Sequence, residues 1–357
     1  MKLAVTNPYS WPEVRRGAER IIVETARCMA ARGHKVTIFT AGERWERRRE
    51  GKVTTVKLRR RFEDPSQHER WFGRRIAPLL LMGRFDAVHS MMPYDALAAV
   101  RTRRFAGHRS VYEELGSPIR DFWETLSDGD VRTQLVQEVD VYGCMSNFSL
   151  DILKSEWGRN GDLIPGGVRL SEFTPSSSRD PRPTVLFSGA LSEIRKGLGL
   201  LLAAADLLME RHPDLQLWLS GPGDPDPILA GATPRVRAQA TLLPLGDPRE
   251  LANRYADAWV TALPSVGDSF GMVLIESLAS GTPIVVSDDS APPQLVTPKT
   301  GIISRPNDAR ALAKAIEAGF ELAADPSTQD HCREFARQFD WDESIGPLLE
   351  KLYRGTP

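Results

Sequence analysis

Two carboxylates in the last third of the 357-residue chain are spaced so that they could contact the two ends of one ligand. Asp268 and Glu276 begin and end the run DSFGMVLIE. Eight helical residues rise about 12 Å, enough to place one carboxylate at each end of a bound diphosphate-linked sugar. A turn of about 100° per residue puts both on roughly one helix face. The simpler alternative is a helix cap followed by an unrelated surface glutamate.

The residues around this pair predict a strand, a loop, a helix and a second strand. An apolar run at 258–264 precedes the pair and another at 283–286 follows it. The pattern predicts a helix from Phe270 to Ala279, with Gly281 as its stop. Because this helix begins directly after a strand, its free N–H groups face the carboxyl edge of the sheet, where phosphate binds.

Two neighbouring cations stand at a second predicted helix start. Arg195 and Lys196 follow the predicted strand 185–188. Cations that are fixed before reaction stabilise a departing diphosphate. The alternative is a basic pair on the surface, but the helix dipole mildly disfavours positive charge at this position, which favours the functional interpretation.

A glycine precedes the first predicted helix. Gly17 follows Arg15 and Arg16 in a loop after the first predicted strand. A glycine there lets the backbone approach a phosphate closely. An ordinary turn is the alternative.

Apolar runs alternate with helical patterns along the whole chain, which predicts βαβ crossovers and parallel sheets covered by helices on both faces. The predicted strands are 3–6, 36–40, 54–58, 87–90, 110–112 and 141–145 in the first half, and 185–188, 215–220, 242–243, 259–263, 284–287 and 302–303 in the second. The clearest helical patterns are 18–29, 197–210, 249–256, 270–279 and 309–322.

The fold class is therefore α/β, with two Rossmann-like, doubly wound domains facing a central cleft. A chain of this length suits two domains, and ligands of such sheets collect at the carboxyl ends of the strands. We expect an N-terminal domain at 1–172 and a C-terminal domain at 184–339. The segment 173–183 is rich in Pro, Ser, Asp and Arg without periodicity, so we expect it to be the linker.

Composition indicates a soluble globular protein, with 41% hydrophobic and 26% charged residues. The three cysteines are widely separated, which favours buried thiols in a reducing compartment. No Cys/His cluster has metal-ligand spacing, so no metal site is expected. The first residues form a strand pattern without a signal peptide, and no apolar stretch approaches the length of a membrane span. These features predict a cytoplasmic location.

The two halves of the chain carry opposite charge. Residues 1–175 hold 29 Lys/Arg and 23 Asp/Glu, a net charge of +6, and the remainder is net −7. The basic excess is concentrated at 44–61. It favours either a solvated loop protecting an edge strand, or a surface that attracts an anionic acceptor or makes weak peripheral contact with anionic lipid. The run lacks the interleaved aromatics of a nucleic-acid module, so no nucleic-acid partner is expected.

Together these motifs resemble the GT4-type retaining glycosyltransferases of GT-B fold, also called glycosyl transferases group 1. The run DSFGMVLIESLASGTPIVV, from residue 268, is similar to the family pattern Glu-x7-Glu followed by Ala-x-Gly-x-Pro-Val. The resemblance spans nearly the whole chain. Further matching motifs are GAE at 17–19, RGHKV at 32–36, IPGGV at 164–168, FTP at 173–175, Gly189 with RKG at 195–197, ELA at 250–252, YADA at 255–258 and LPS at 263–265.

The resemblance implies retaining transfer of a sugar from a nucleotide-diphosphate sugar to an acceptor hydroxyl, by metal-independent front-face chemistry. Asp268 would contact hydroxyls of the donor sugar, Glu276 the ribose, and Lys196 with Arg195 the diphosphate. Segment 340–357 would return to pack on the N-terminal, acceptor-side domain. Backbone N–H groups for the diphosphate and sugar would come from Ser269, Phe270, Gly271 and Met272.

The chain departs from the family pattern at three positions. Asp268 replaces a Glu, Ala190 stands where the family has an Arg after the glycine, and Arg16 replaces the first glycine of a Gly-Gly pair. The shorter Asp268 puts the sugar preference in doubt, and Ala190 removes one phosphate contact, for which Arg195 is a candidate replacement.

Two strand-end residues are candidates for the acceptor side. Glu113 stands where many relatives carry a His, and it could orient the acceptor, contact the sugar or act as a weak base. An ion pair with a nearby arginine such as Arg120 is the alternative. His89 is a candidate acceptor contact, or a hydrogen-bonded structural residue.

Two other functions fit the same sequence. A nucleotide-sugar epimerase of this architecture would convert the donor without an acceptor. A non-catalytic partner would bind the nucleotide sugar without transferring it, an alternative that Ala190 and Asp268 favour slightly.

Overall fold

A computed structural model describes residues 1–9, 17–244 and 248–355 of the protein. The chain folds into two compact units. The first comprises residues 1–167 and 341–357, and the second comprises residues 168–340.

The first unit is built on an eight-stranded sheet in the order β3-β4-β2-β1-β5-β6-β7-β8. Every neighbouring pair is parallel except β3 and β4, which are antiparallel. Order reversal on either side of β1 makes it a doubly wound sheet. The strands are β1 (Lys2–Thr6), β2 (Lys35–Gly42), β3 (Glu46–Glu50), β4 (Val53–Arg59), β5 (Ala87–Ser90), β6 (Arg109–Glu114), β7 (Val141–Cys144) and β8 (Asp162–Leu163).

The edge strand β3 is a correction to the sequence prediction. The arginine-rich run was expected to be a loop flanking an edge strand, but it is the edge strand itself, and all five of its residues are exposed. Its sequence ERRRE lacks apolar alternation, so periodicity gives no strand signal there. Pairing with β4 supplies the backbone hydrogen bonds instead.

Helices surround this sheet, and the last one comes from the C-terminus. Helix α2 begins at the N-cap Asp64, whose carboxylate accepts a hydrogen bond from the backbone N–H of Gln67 at 2.9 Å. The helices of the first unit are α1 (Gly17–Ala31), α2 (Pro65–Gly83), α3 (Pro93–Ala106), α4 (Arg120–Glu124), α5 (Gly129–Glu138), α6 (Asn147–Trp157) and, in the C-terminal segment, α14 (Gly346–Arg354).

The second unit has a six-stranded sheet, all parallel, in the order β11-β10-β9-β12-β13-β14. Its central strands are continuous apolar runs, as expected for strands covered on both faces. They are β9 (Thr184–Ser188), β10 (Gln216–Ser220), β11 (Ala240–Leu242), β12 (Val260–Leu263), β13 (Ile284–Ser287) and β14 (Gly301–Ser304). The helices are α7 (Leu198–Leu208), α8 (Asp226–Leu229), α9 (Pro234–Gln239), α10 (Pro248–Asp257), α11 (Met272–Ala279), α12 (Ala309–Ala324) and α13 (Thr328–Ala336).

The segment 173–183, expected to be a linker, belongs to the second unit. Arg333 donates to the carbonyls of Phe173 (2.6 Å) and Leu170 (2.9 Å). Arg179 donates to the carbonyls of Ala258 (2.7 Å) and Gly281 (3.1 Å). Arg333 thus binds the backbone at the start of the segment, and Arg179 within it binds the backbone of other parts of the second unit. Local sequence patterns cannot reveal contacts of this kind, because the partners are far apart along the chain. The unit boundary therefore lies at 167/168.

All three cysteines are free and buried, as expected. Burial raises the pKa of the Cys332 thiol to about 12. The thiol of Cys28 donates a hydrogen bond to the carbonyl of Trp341 at 3.0 Å, which ties α1 to the returning C-terminal segment.

Candidate active site

The candidate site of the second unit lies at the carboxyl edge of its sheet. Strands β9 and β12 are parallel neighbours, so the turn after one meets the loop after the other. Gly197, with φ of +80°, permits the contact, because a Cβ there would lie 2.2 Å from the carbonyl oxygen of Pro264. The backbone N–H of Val266 donates to the carbonyl of Arg195 at 2.8 Å and fixes the same approach.

Because of this contact, the side chains of Arg195 and Lys196 lie against the carboxylate of Asp268, the residue predicted to contact the sugar. Lys196 Nζ lies 2.7 Å from Asp268 Oδ1 and 3.0 Å from Oδ2, and Arg195 lies 3.1 Å from Oδ1. Burial raises the pKa of Asp268, but the charge and hydrogen bond of Lys196 outweigh it, with smaller contributions from Ser265 and Arg195, so the pKa is lowered. The carboxylate is therefore ionised at neutral pH. Sequence reasoning assigned these residues to two parts of the donor, and the structure joins them in one cluster.

A third loop, after β13, holds the backbone of this cluster. The carboxylate of Asp289 and the hydroxyl of Ser290 accept from the N–H of Gly267 at 2.8 and 3.1 Å. The N–H of Ala291 donates to the carbonyl of Asp268 at 3.1 Å. Sequence reasoning missed these positioning residues. The polar run DDS directly after β13 was the available signal, because parallel strands end at the same edge.

Helix α11 begins two residues later than predicted, at Met272 instead of Phe270. Gly271 precedes it with φ of +104°, a left-handed conformation that ends the loop. Asp268 therefore lies in the loop, and the helical rise of about 12 Å to Glu276 does not apply. Phe270 is buried with its ring 5.6 Å from that of Phe339, while 269 and 271–273 are partly exposed.

The second predicted carboxylate, Glu276, is buried in α11 beside a tyrosine. The hydroxyl of Tyr255 lies 3.1 Å from Glu276 Oε2 and 2.9 Å from the hydroxyl of Ser188 at the end of β9. Tyr255 is fully buried and packs against the ring of Phe173. Sequence reasoning gave Tyr255 no role in the site. Its place in YADA, before a strand that ends at this edge, was the only signal.

Close backbone contacts shape the edge between β9 and β10. A Cβ on Gly221 would lie 1.7 Å from the carbonyl oxygen of Gly189, so only glycine fits there. The N–H of Gly189 donates to the carbonyl of Ser220 at 2.9 Å. Ala190, where the resemblance expects an arginine, follows directly and is half-buried. The edge is thus formed mainly by backbone.

Gly17 is the first residue of α1 and is exposed. The predicted phosphate loop before it, including Arg16, lies outside the described residues. Glu19 in the first turn of α1 is buried.

The two candidate acceptor residues of the first unit contact each other. His89 Nε2 lies 3.0 Å from Glu113 Oε2, and both residues are 1% exposed. The other ring nitrogen, His89 Nδ1, lies 2.8 Å from the hydroxyl of Tyr353 in α14. These side chains sit on adjacent strands, β5 and β6, under the C-terminal helix.

The arginine contact considered for Glu113 belongs to its neighbour. Glu114 accepts from Arg132 at 2.8 Å and from the hydroxyl of Tyr112 at 2.8 Å. Arg120 instead contacts Glu156: its guanidinium donates to the backbone carbonyl of that residue, and its backbone N–H donates to the carboxylate at 2.6 Å. Adjacent residues of a strand point to opposite faces, which gives Glu113 and Glu114 different partners.

Within residues 1–9, 17–244 and 248–355, no three His, Cys, Asp or Glu side chains are grouped so that they could hold a metal ion. In the same part of the chain, every helix is too short or too polar to cross a membrane.

The edge of the second unit can therefore bind an anion and a polyhydroxyl group side by side. A fixed ammonium and guanidinium stand over an ionised carboxylate, next to the start of α11 and a second, buried carboxylate. Helix N-termini and cations attract phosphate, and carboxylates accept from hydroxyls.

Comparison with known protein families gives two matches. The family described as Glycosyltransferase Family 4 matches residues 15–172. The family described as Glycosyl transferases group 1 matches residues 182–321. The two matches lie in the two halves predicted from the sequence.

Similar curated proteins span most of the chain. The phosphatidyl-myo-inositol mannosyltransferase of Mycobacterium leprae (strain TN) is 27% identical, covering 98% of this chain and 96% of that protein. The protein of that name from Mycobacterium tuberculosis (strain ATCC 25618 / H37Rv) is 28% identical, covering 81% and 78%. A D-inositol 3-phosphate glycosyltransferase of Corynebacterium urealyticum is 29% identical, covering 65% and 62%.

Solved structures match the fold over the full chain. Sucrose-phosphate synthase from Thermosynechococcus elongatus has a TM-score of 0.83 at 22% identity, covering 99% of this chain and 98% of that one. A trehalose-6-phosphate protein from E. coli, bound with UDP-2-fluoro glucose, has a TM-score of 0.77 at 14% identity, covering 100% of both chains. At these identities the likeness concerns the GT-B fold.

Proposed function

The chain belongs to the family 4, group 1 glycosyltransferases of GT-B fold, and on that premise we propose that it moves a sugar from a nucleotide-diphosphate sugar to an acceptor hydroxyl with retention of configuration. The observation that carries the proposal is the contact of Lys196 and Arg195 with Asp268 beside the start of α11. The contact supports the proposal because cations suited to phosphate and a carboxylate suited to sugar hydroxyls lie side by side.

In this proposal Lys196 and Arg195 bind the donor diphosphate, together with backbone N–H groups at 269–272. Asp268 accepts hydrogen bonds from the sugar, and Glu276 accepts from the ribose. The ionised state of Asp268 suits it to this task, because a carboxylate only accepts. Its contact with Lys196 would hold the sugar next to the phosphate to which it is bonded.

The transfer step breaks the bond between the sugar C1 and the β-phosphate oxygen. The acceptor oxygen bonds to C1 on the same face, and its proton passes to the departing phosphate oxygen. Lys196 stabilises the negative charge that develops there, and cations held in place before reaction are effective at this. The products are the glycosylated acceptor and a nucleoside diphosphate. The proposed step needs no metal ion, because the cations of the chain carry the phosphate charge.

The first unit is proposed to serve the acceptor. Gly17 would contribute backbone to the phosphate loop, while Glu113 and His89 would orient the acceptor. The burial of both side chains and their 3.0 Å contact support a positioning role more than direct proton transfer. The relatives named mannosyltransferases act on inositol lipids by their names, and we propose a polyhydroxyl acceptor of that general kind.

We also propose a cytoplasmic location and weak peripheral contact with anionic membrane. Three free, buried thiols support a reducing compartment. The net +6 charge of residues 1–175 supports attraction to an anionic surface.

The experiment that tests the proposal is calorimetric titration of UDP, GDP and ADP, each also as its hexose conjugate, followed by transfer assays with the pair that binds. Anomeric configuration of the product is read by NMR. An inverted product would contradict retention. Conversion of the nucleotide sugar without any acceptor would restore the epimerase alternative, which the relatives do not support.

A further inference from the structure

A groove lies at the β3 edge of the first unit. It is formed by residues far in sequence from the candidate donor site, which belongs to the second unit. Its floor is the sheet face formed by three neighbouring strands. The register pairs Phe39 with Val56 and Val56 with Arg47, so alternate residues of β2, β4 and β3 share this face. The groove has a volume of about 530 Å³, within the usual range of ligand pockets.

The floor and one wall of the groove are apolar. Parallel sheets are normally covered on both faces, but β4 is only half-buried along most of its length. The end of α2 covers the face in part, and two large apolar side chains beside the groove are strongly exposed, Trp45 at 63% and Met82 at 73%. The remaining apolar side chains of the lining are Val36, Phe39, Val56, Leu58, Leu79 and Phe85.

The rim of the groove is positively charged. Among the described residues, five cations and no carboxylate line it: Lys2, Lys35, Arg47, Arg49 and Lys52. On β3 the charges divide by face. Arg47 and Arg49 line the groove, whereas Arg48 points to the opposite face and forms an ion pair with Glu50.

Protection of an edge strand against pairing with another strand explains why β3 is charged. It does not explain why the unpaired arginines face the groove while Arg48 on the opposite face is paired with Glu50. Charges on either face would deter strand addition equally. A half-covered apolar floor inside a ring of unbalanced cations fits a ligand that is apolar at one end and anionic at the other. An acyl chain lies on apolar surface, and a phosphate binds arginine and lysine.

We propose that this groove receives an acyl chain and the phosphate of an anionic phospholipid at a bilayer surface. The proposal places the membrane contact suggested above at one site, and it does not depend on glycosyl transfer. Trp45 and Met82 would enter the interfacial region, with the five cations at the level of the lipid phosphates.

The first arm of the test measures binding of the full chain to vesicles of phosphatidylcholine with 30% phosphatidylglycerol, compared with phosphatidylcholine alone. A basic residue at such a surface is worth about 1 kcal/mol, so Arg49→Gln should weaken partitioning roughly fivefold and the double variant Arg47→Gln/Arg49→Gln roughly 25-fold. Arg48→Gln on the same strand is the matched control and should weaken partitioning less than Arg49→Gln does, because Arg48 lies on the opposite face and its charge is paired with Glu50. Equal losses of vesicle binding in all three variants would contradict the proposed lipid site in the groove.

The second arm reads the acyl chain directly. Thr54→Cys places an environment-sensitive fluorophore on the groove face of β4, and Thr55→Cys places it on the opposite face. The three native cysteines are buried and stay unlabelled. Only the label at position 54 should shift to the blue with anionic vesicles and be quenched by bromine-labelled acyl chains. Quenching at 55 alone, at both positions or at neither would refute the proposal, as would an equal response to inorganic phosphate. Calorimetric nucleotide binding by the same variants reports separately on the donor site.

Discussion

The carboxyl ends of the parallel strands in the two sheets hold similar side chains in opposite surroundings. In the second unit, Asp268 meets Lys196 and Arg195 at a partly open edge, where Arg195 keeps 46% of its side-chain surface exposed. In the first unit, Glu113 meets His89 under α14 with 1% of each side chain exposed. Both pairs occupy the position at which doubly wound sheets bind ligands.

The difference shows that strand topology places polar side chains at the carboxyl edge, and that packing over the edge decides whether a ligand can reach them. The open cluster keeps cations that a ligand can reach, so it suits donor binding. The covered pair contacts Tyr353, a residue of the C-terminal helix, and so links that helix to the first sheet. Site candidates chosen from strand ends alone cannot separate these two cases.

The covered edge should produce the largest effect on stability. Tyr353→Ala removes a buried aromatic ring and its contact with His89, and we expect the free energy of unfolding of the first unit to fall by about 3–5 kcal/mol. Urea denaturation measures this, with Tyr353→Phe as the control that keeps the ring and loses only about 0.5–1.5 kcal/mol. A near-zero loss in the alanine variant would mean that α14 does not anchor this edge.

Loss of either carboxylate of the second unit, Asp268 or Glu276, should affect a different property. Glu276→Ala should weaken both free nucleotide and nucleotide sugar by about 1.5–3 kcal/mol, since both ligands carry ribose. Asp268→Asn should leave nucleotide affinity nearly unchanged while turnover falls, because contacts with a reorienting sugar strengthen in the transition state. Calorimetry and transfer rates for both variants measure this. Equal losses of nucleotide affinity would end the proposed division of roles.

The open cluster should respond to loss of its ammonium group. Lys196→Ala should weaken binding of the nucleoside diphosphate by about 1–3 kcal/mol, the scale of a charge-assisted hydrogen bond. Lys314→Ala, a lysine on α12 outside the site, is the control. An affinity within twofold of the unmodified protein would remove Lys196 from the phosphate site.

A smaller effect is expected from the tyrosine behind Glu276. Tyr255→Phe deletes one hydroxyl between Glu276 and Ser188 and should lower nucleotide affinity by about 0.5–1.5 kcal/mol by loosening the carboxylate. The ring remains, so thermal stability should change little. Unchanged affinity in the calorimeter would show that Glu276 needs no such support.

No effect is expected from a chelator. Cations of the chain, and no metal ion, are proposed to carry the phosphate charge, so transfer rates should be the same with and without EDTA. Activity that disappears with EDTA and returns with magnesium or manganese would contradict the metal-independent step.

Much of the fold could be predicted from the sequence because local patterns encode it. The strands at 87–90 and 284–287 were predicted to the residue, since their apolar runs have clear ends. Edge strand β3 could not be predicted in this way, because its sequence carries no apolar alternation and its stability depends on pairing with β4. The 167/168 boundary was missed for a similar reason, since Arg333 lies more than a hundred residues from the carbonyls of Leu170 and Phe173, to which it donates.

The sequence by itself determined the two-sheet α/β architecture and the family, and it singled out Asp268, Glu276 and Lys196 as candidate site residues, because residue type, spacing and order are local properties of the chain. Only the tertiary structure decided which of these side chains contact each other. It joined Lys196 to Asp268 across 72 positions through the close approach of Gly197 to Pro264, and it buried Glu113 against His89 under a helix from the far end of the chain. Those contacts depend on strand order and on the packing of distant segments, which local periodicity does not encode.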